Sequence, residues 1–322
     1  MSLAEKSLIA HIRRLAGRTG RALALGIGDD AAIARIPAGQ EALLTTDFSL
    51  EGIHFRREWH PPESVGHRCL ARGLSDIAAM GGEPLAAFLS LALPGDLPQS
   101  WVDGFLRGLL ALAHQHGVRL AGGDTAQSPA GVLADIVVLG SVPKGQAIRR
   151  SEARPGDGLY VTGELGGSAA TLGRLLAGPR KNLKPRLHPA HFFPQPRLAV
   201  GRHLREKKLA TAMIDVSDGL STDLAHLCEE SAVGARIYAE LVPRPDEVSL
   251  DLALHGGDDY ELLFSAPANR RISGVIAGVA VTRIGEVTRG KRVVLSRGGV
   301  STELRAQGWE HFAGKPQPAS TG

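Results

Sequence analysis

GIGDDAAIAR, residues 26–35, follows the apolar run ALAL and opens as G-x-G-x-x-A, with an acidic residue, Asp47, about 20 positions further on. Taken as a dinucleotide fingerprint, it would make the chain a Rossmann fold. Two features exclude that. Only a short segment separates Ala31 from Pro37, so no long helix can aim its N-terminus at a phosphate. The variable positions are Asp29 and Asp30, and two carboxylates repel a pyrophosphate unless a metal stands between them. The stretch therefore reads as an acidic turn that reaches phosphate through a cation.

The same kind of turn recurs along the chain. It appears as GIGDD (Asp29, Asp30), TTD (Thr45, Thr46, Asp47), LSD (Asp76), GGDT (Gly123, Asp124), DVSDG (Asp215, Ser217, Asp218) and GGDDYE (Asp258, Asp259, Glu261). Most of these follow an apolar strand or sit beside glycine, where loops at strand ends form ligand sites. Each has an ordinary explanation when taken singly. Asp beside Gly is turn chemistry, Asp at a helix start is a cap, and Asp76 sits four residues after Arg72, the spacing of a helical ion pair. Recurrence shifts the balance, because carboxylates gathered without cations resist ionisation. An all-oxygen set suits Mg²⁺ or Mn²⁺ rather than Zn²⁺, and Mg²⁺ takes one or two carboxylates together with substrate phosphates.

The chain is long for one compact domain, with 322 residues, of which 43% are hydrophobic. Strands and helices alternate on both sides of a break at PKGQAIRRSEARPGDG, which predicts α/β domains over residues 1–146 and 147–322. EALLTTD reads as a strand ending at Asp47. PPESVGHRCLARGLSDIAAM and LPQSWVDGFLRGLLALAHQH read as helices, each stopped by glycine. VTRIGEV-TRG-KRVVLS reads as a β-hairpin, and a basic, proline-rich loop occupies residues 179–196.

A net charge of +4 is scattered rather than clustered, and no aromatic residues interleave with REKK or RGKR, which argues against nucleic acid as a partner. The longest apolar run, LAAFLSLALP, is too short to span a bilayer. The N-terminal Leu8, Ile12 and Leu15 recur at the spacing of an amphipathic helix rather than a signal peptide. Cys69 and Cys228 form no motif, so a soluble cytoplasmic protein in a reducing compartment is expected. GEVTRGKR lacks the closing Ser/Thr of a P-loop and leads into a strand pattern. No nucleophile elbow, zincin motif or Cys–His pair is present.

In order, GIGDDAA, LLTTDFSLEGIHF, LSDIAAMGGEP, LAGGDT, RRSEARPGD, MIDVSDGLSTDL and GGDDYELLF resemble the thiamine-monophosphate kinase family. That family belongs to the superfamily of aminoimidazole-ribonucleotide synthetase and selenophosphate synthetase. The likeness runs from about residue 25 to 290, with a weaker tail at GWEHF. It implies a two-domain fold whose N-terminal domains pair into a dimeric β-barrel, and an ATP-dependent transfer to thiamine monophosphate assisted by several Mg²⁺ ions. It also implies a metal set of Asp30, Thr45, Thr46, Asp47, Asp76, Asp124, Asp215 and Asp218, with Asp47, Asp215 and Arg150 at the chemistry. Gly123, Asp124, Arg150 and Ser217 match ATP contacts, while His54, Glu261 and Trp309 match substrate contacts. The family's GED is GDD here, so Asp258 replaces a Glu, and Glu152 stands where a small residue is common.

From the residues alone, four of these contacts have a plainer explanation. Arg150 reads equally as a surface arginine, His54 as a packed or surface histidine, Trp309 as a core or subunit contact, and Glu261 as a solvent-facing strand residue. Another ATP-using superfamily member, or a nucleotide-binding factor without turnover, are the alternative functions. Product analysis separates both from a kinase.

Overall fold

The computed structural model describes residues 5–17, 22–178 and 183–309. Part of the proline-rich loop and the EHF of the tail lie outside the described residues. Helix α1 (Glu5–Ala16) buries Leu8 and partly buries Ile12, while Leu15 is exposed. The first acidic turn joins strands β1 (Leu23–Leu25) and β2 (Ile33–Ala34), an antiparallel pair with no helix between its strands. Then follow β3 (Gln40–Leu50), α2 (Pro62–Ala79), β4 (Glu83–Pro94), α3 (Gln99–Gln115), β5 (Arg119–Ser128) and β6 (Leu133–Pro143).

Strand order in this first sheet is β3-β6-β4-β5, with only β4 and β5 parallel. The strand expected to end at Asp47 continues to Leu50, so Asp47 sits inside β3 rather than in a turn. Strand alternation then sorts the TTD motif. Leu43 and Ser49, in phase with Thr45 and Asp47, are buried, whereas Leu44 and Phe48, in phase with Thr46, are 72% and 56% exposed. Pro62 presets the first turn of α2, which packs on β3 and β6.

The second half contains β7 (Gly158–Thr162), α4 (Gly167–Ala177), α5 (Pro189–Phe192), α6 (Leu198–Glu206), β8 (Ala212–Val216), α7 (Leu220–Glu230), β9 (Gly234–Tyr238), α8 (Leu250–His255) and β10 (Glu261–Ala266). Strands β11 (Val275–Ile276), β12 (Val279–Thr288), β13 (Val293–Arg297) and β14 (Val300–Glu303) complete it. The sheet order is β14-β13-β9-β12-β7-β10-β8, with β11 paired to β12.

The expected hairpin of β12 and β13 does not form. Strand β9 lies between them, antiparallel to β12 and parallel to β13. Both strands were legible from their apolar pattern, but a turn signal cannot report a distant strand inserting between its arms. The hairpin lies one step later, where β13 pairs with β14 across Gly298–Gly299.

The chain is thus mixed α/β with two large sheets beside the small β1–β2 pair, and α2 sits between its halves. It contacts β3 and β6 on one side and α6, β8 and β10 on the other. One apolar cluster accordingly joins Leu70, Leu74 and Ile77 of α2 to Ile136 and Val138 of β6 and to Leu204 and Phe264 of the second half. Burying side chains of this size is worth about 1.5–3 kcal/mol each, so the two halves are held in fixed register. Among the described residues no helix is long and apolar enough to cross a membrane.

Candidate active site

Because α2 bridges the halves, acidic groups from both meet along it. Asp47 from β3, Asp76 from α2, Asp215 from β8, and Ser217 and Asp218 from the turn into α7 line one cavity of about 360 Å³, together with His54, Arg72 and Trp309. Thr45 donates its hydroxyl to Asp76, which also shares a side-chain hydrogen bond with Asp47. Burial pushes Asp47 up to about 7, reinforced by Asp76 and Asp215 and opposed by Arg72. Burial and Asp76 likewise push Asp215 up to about 7, against a Ser75 hydroxyl bond of 2.7 Å and the charge of Arg150. Burial raises Asp76 too, against Thr45 and Arg150. Three carboxylates held together, each resisting ionisation and offering only oxygen, fit a hard divalent cation.

The turn that carries Asp218 is anchored from beneath. One oxygen of Asp223 accepts the amides of Ser217, Asp218 and Gly219 at 3.0, 3.1 and 3.1 Å. Burial drives Asp223 up to about 8, with Asp215 and Asp218 adding to the rise and the amides opposing it. Asp218, Asp223 and His226 bring potential ligand atoms within 4.8 Å of one another.

The opposite wall is an ion-pair cluster. Arg68 donates to Asp258 at 2.8 Å, Arg72 at 3.2 Å and the Tyr260 hydroxyl at 2.6 Å. The helical pair expected between Arg72 and Asp76 is therefore not made, because the guanidinium turns across to Asp258. Burial alone would raise Asp258, but the two arginines win and hold it well below the usual carboxylate range. Asp258 and Tyr260 have φ of 66° and 53°, a left-handed backbone that costs about 1–3 kcal/mol per non-glycine residue. Amide bonds from Asp258 to the Ser217 carbonyl at 2.7 Å and from Tyr260 to the Val216 carbonyl at 2.8 Å help to hold it.

A second cavity, of about 500 Å³, is lined by Asp29, Asp30, Phe88, Gly123 and Asp124. The Asp29 carboxylate accepts the Asp30 amide at 2.9 Å, so Asp29 braces the turn. Asp124 similarly accepts the Thr125 amide at 2.8 Å. Gly123 has φ 144°, and a Cβ there would stand 1.8 Å from the Leu89 carbonyl oxygen, so the neighbouring strand alone demands glycine.

Ten of the nominated residues line one or other of the two cavities, Thr45 lines neither but bonds Asp76, and three stand apart. Thr46 donates to Asp135 at 2.7 Å on the other face of β3. Arg150 is exposed on the 3₁₀ turn Arg150–Glu152, and its charge still reaches Asp76 and Asp215. Glu261 is 4% exposed, not solvent-facing, and is clamped by both Nε and Nη2 of Arg197 and by the Thr162 hydroxyl at 2.5 Å. His54 accepts the Leu50 amide through Nδ1 at 2.9 Å while lining the first cavity. Sequence reasoning passed over Ser75, Arg68, Asp223 and Tyr260, and read Arg72 only as a helical partner of Asp76. For the arginines a signal existed, since Arg68, Arg72 and Asp76 recur every four residues along one stripe of α2.

The chain is similar to known proteins over nearly its whole length. Residues 28–142 match the AIR synthase related protein N-terminal domain, and residues 154–298 match the AIR synthase related protein C-terminal domain. The chain is 38% identical over 330 residues to thiamine-monophosphate kinase of Escherichia coli (strain K12), covering 97% of this chain and 99% of that protein. The crystal structure of thiamine-monophosphate kinase from Stenotrophomonas maltophilia K279a superposes with a TM-score of 0.80 at 36% identity, covering 94% of this chain and 99% of that one. AaThiL complexed with AMPPCP and TMP superposes with a TM-score of 0.77 at 32% identity, over 96% of this chain and 97% of that one.

Proposed function

The chain belongs to the thiamine-monophosphate kinase family, and on that premise we propose that it transfers the γ-phosphoryl group of ATP to thiamine monophosphate, giving thiamine diphosphate by direct in-line displacement. The observation that carries this is the meeting of Asp47 and Asp76 with Asp215 and Asp218 in one cavity that also holds Trp309. A phosphate monoester has a second pKa near 6, so its oxygen is ionised at neutral pH and needs no general base. What the reaction needs is neutralisation of charge between an anionic acceptor and a polyanionic donor. A site rich in carboxylates and poor in histidine matches that need better than a covalent phosphoenzyme does.

Mg²⁺ ions held by Asp30, Thr45, Asp47, Asp76, Asp124, Asp215 and Asp218 would supply the neutralising charge, and Thr46, turned to Asp135 on the other face of β3, is left out of that set. We place ATP toward the cavity of Asp30, Gly123 and Asp124, with Ser217 reaching it from the second half. Arg150 adds positive charge where the transferred group passes. His54 and Trp309 bound the acceptor, and the Trp309 ring suits the cationic thiazolium. Glu261, clamped by Arg197, acts by holding the start of β10. The domains meet near residue 147, and the enzyme works in the cytoplasm, where Cys69 and Cys228 stay as free thiols.

Leu44 and Phe48 on the open face of the first sheet supply a surface for a second copy, and we propose a homodimer closed there into a barrel. The test of function is incubation with ATP, Mg²⁺ and thiamine monophosphate, followed by product analysis. Thiamine diphosphate and ADP in equal amounts are expected; ATP turnover without thiamine diphosphate, or no turnover at all, overturns the assignment.

A further inference from the structure

Arg72 is the residue whose position has no use in the mechanism so far. Its side chain is 11% exposed and lines the cavity of Asp47, Asp76 and Asp215. Nη1 donates to the Phe48 carbonyl at 3.3 Å and Nη2 to Asp258 at 3.2 Å, both long for charge-assisted bonds, which run about 2.7–2.9 Å. Nε is buried and has no hydrogen-bond partner. A buried donor left unmatched in a native fold needs an explanation.

Arg68 makes the contrast. It is 3% exposed and bonds Asp258 at 2.8 Å and the His191 carbonyl, so its guanidinium is committed to the fold. Two guanidinium groups thus share one carboxylate and leave one net positive charge, and the loosely engaged group is the one on the cavity wall. Arg72 is the single arginine or lysine among the described residues that line this cavity; five aspartates, Asp47, Asp76, Asp215, Asp218 and Asp258, surround it. Those carboxylates cannot themselves hold an anionic ligand. A guanidinium can, because its planar fork matches two phosphate oxygens at once.

We infer that Arg72 holds the phosphate of the acceptor, the monoester end of thiamine monophosphate, and that Asp258 is the positioning residue that aims it. The inference rests on the assignment of this cavity to thiamine monophosphate. Arg68 and the Tyr260 hydroxyl fix the plane of the Asp258 carboxylate, which then directs Nη2 of Arg72 and leaves its other donors for ligand. Because one carboxylate orients Arg72 from the second half while its helix belongs to the first, the phosphate subsite exists only with both halves in place.

The experiment is calorimetric titration of the full chain with thiamine and with thiamine monophosphate, in wild type, Arg72→Met and Arg72→Lys. Wild type is expected to prefer the monophosphate. Arg72→Met should weaken the monophosphate about tenfold to a hundredfold and leave thiamine unchanged, the unchanged ligand reporting an intact pocket. Arg72→Lys, which keeps the charge and loses the fork, should lie between the two. Equal weakening of both ligands in either variant would mean a packing role and overturn the inference, as would unchanged monophosphate affinity in Arg72→Met. Absence of thiamine diphosphate formation by the wild type is a separate result, which strikes the functional assignment itself.

Discussion

Ser75, in the C-terminal part of α2, donates its hydroxyl to Asp215, near the end of β8, at 2.7 Å. Both residues are buried, and each belongs to a different half of the chain. The bond thus sets the direction of one carboxylate of the cavity from the opposite half. A ligand's hydrogen-bonded support commonly governs metal affinity by about 10- to 100-fold. Ser75→Ala is therefore expected to raise the Mg²⁺ concentration for half-maximal activity by about that factor, with turnover at saturating Mg²⁺ near wild type. Activity titrated with Mg²⁺ checks this, and an unchanged midpoint would reduce Ser75 to a packing residue.

Asp47→Asn and Asp215→Asn should separate activity from stability. Both acids stand near like charges and resist ionisation, so replacing either with a neutral isostere relieves the fold. Turnover should fall by at least about 100-fold. The metal-free protein should melt no lower than wild type, and an added stability of about 1 kcal/mol would show as roughly 2–4 °C. Near-normal turnover in either purified variant removes that residue from the metal set.

The same two acids give a pH dependence whose sign is the reverse of a salt-bridged carboxylate. Their pKa rises from 3.8 to about 7 on folding, so between those values the folded chain keeps protons that the unfolded chain releases. Without metal, their contribution to stability is undiminished below about pH 4 and is lost as pH rises toward about 7. Divalent cations bind the deprotonated form. Added Mg²⁺ should then raise the melting temperature little at about pH 5 and by several degrees at about pH 8. A Mg²⁺ shift of equal size at both pH values would show that these carboxylates are not its ligands.

How much of this was legible beforehand follows from the range of each interaction. Helices α2 and α3 were readable because proline starts, glycine stops and apolar periodicity are local. Asp47, Asp76 and Asp215 were singled out within one eight-residue metal set because each sits in a short acidic motif, and the structure brings these three to one cavity while Asp30 and Asp124 line another. The placement of β9 between β12 and β13 was not legible, because strand pairing across more than 40 residues leaves no mark on the turn it displaces. Arg72 failed for the same reason. Its nearest acid along α2 is Asp76, but Asp258, distant in sequence, competes for it and wins. Glu261 was visible as a charge on an apolar strand, yet nothing near it in sequence revealed Arg197 as its partner.

Trp309 reaches the first cavity through the backbone of its own segment, and that makes Gly308 testable. Consecutive amides dock on the start of α7: Gln307 donates to the Ser221 hydroxyl at 3.4 Å, Gly308 to the Thr222 hydroxyl at 3.0 Å and Trp309 to the Asp218 carbonyl at 3.0 Å. A Cβ on residue 308 would stand 2.0 Å from that carbonyl oxygen and 2.7 Å from the Thr222 hydroxyl, so even alanine must lift the segment away. The indole, half exposed at the cavity rim, would move with it, while Asp218 keeps its place through Asp223. Gly308→Ala should therefore raise KM for thiamine monophosphate by about tenfold and leave KM for ATP within about twofold. Trp309→Ala should match it, and Trp309→Phe, which keeps an aromatic face, should recover part of the loss. Steady-state kinetics with each substrate varied in turn checks all three variants. A rise in both KM values would place the damage in the Asp218 turn, and no rise in either would detach Trp309 from the acceptor.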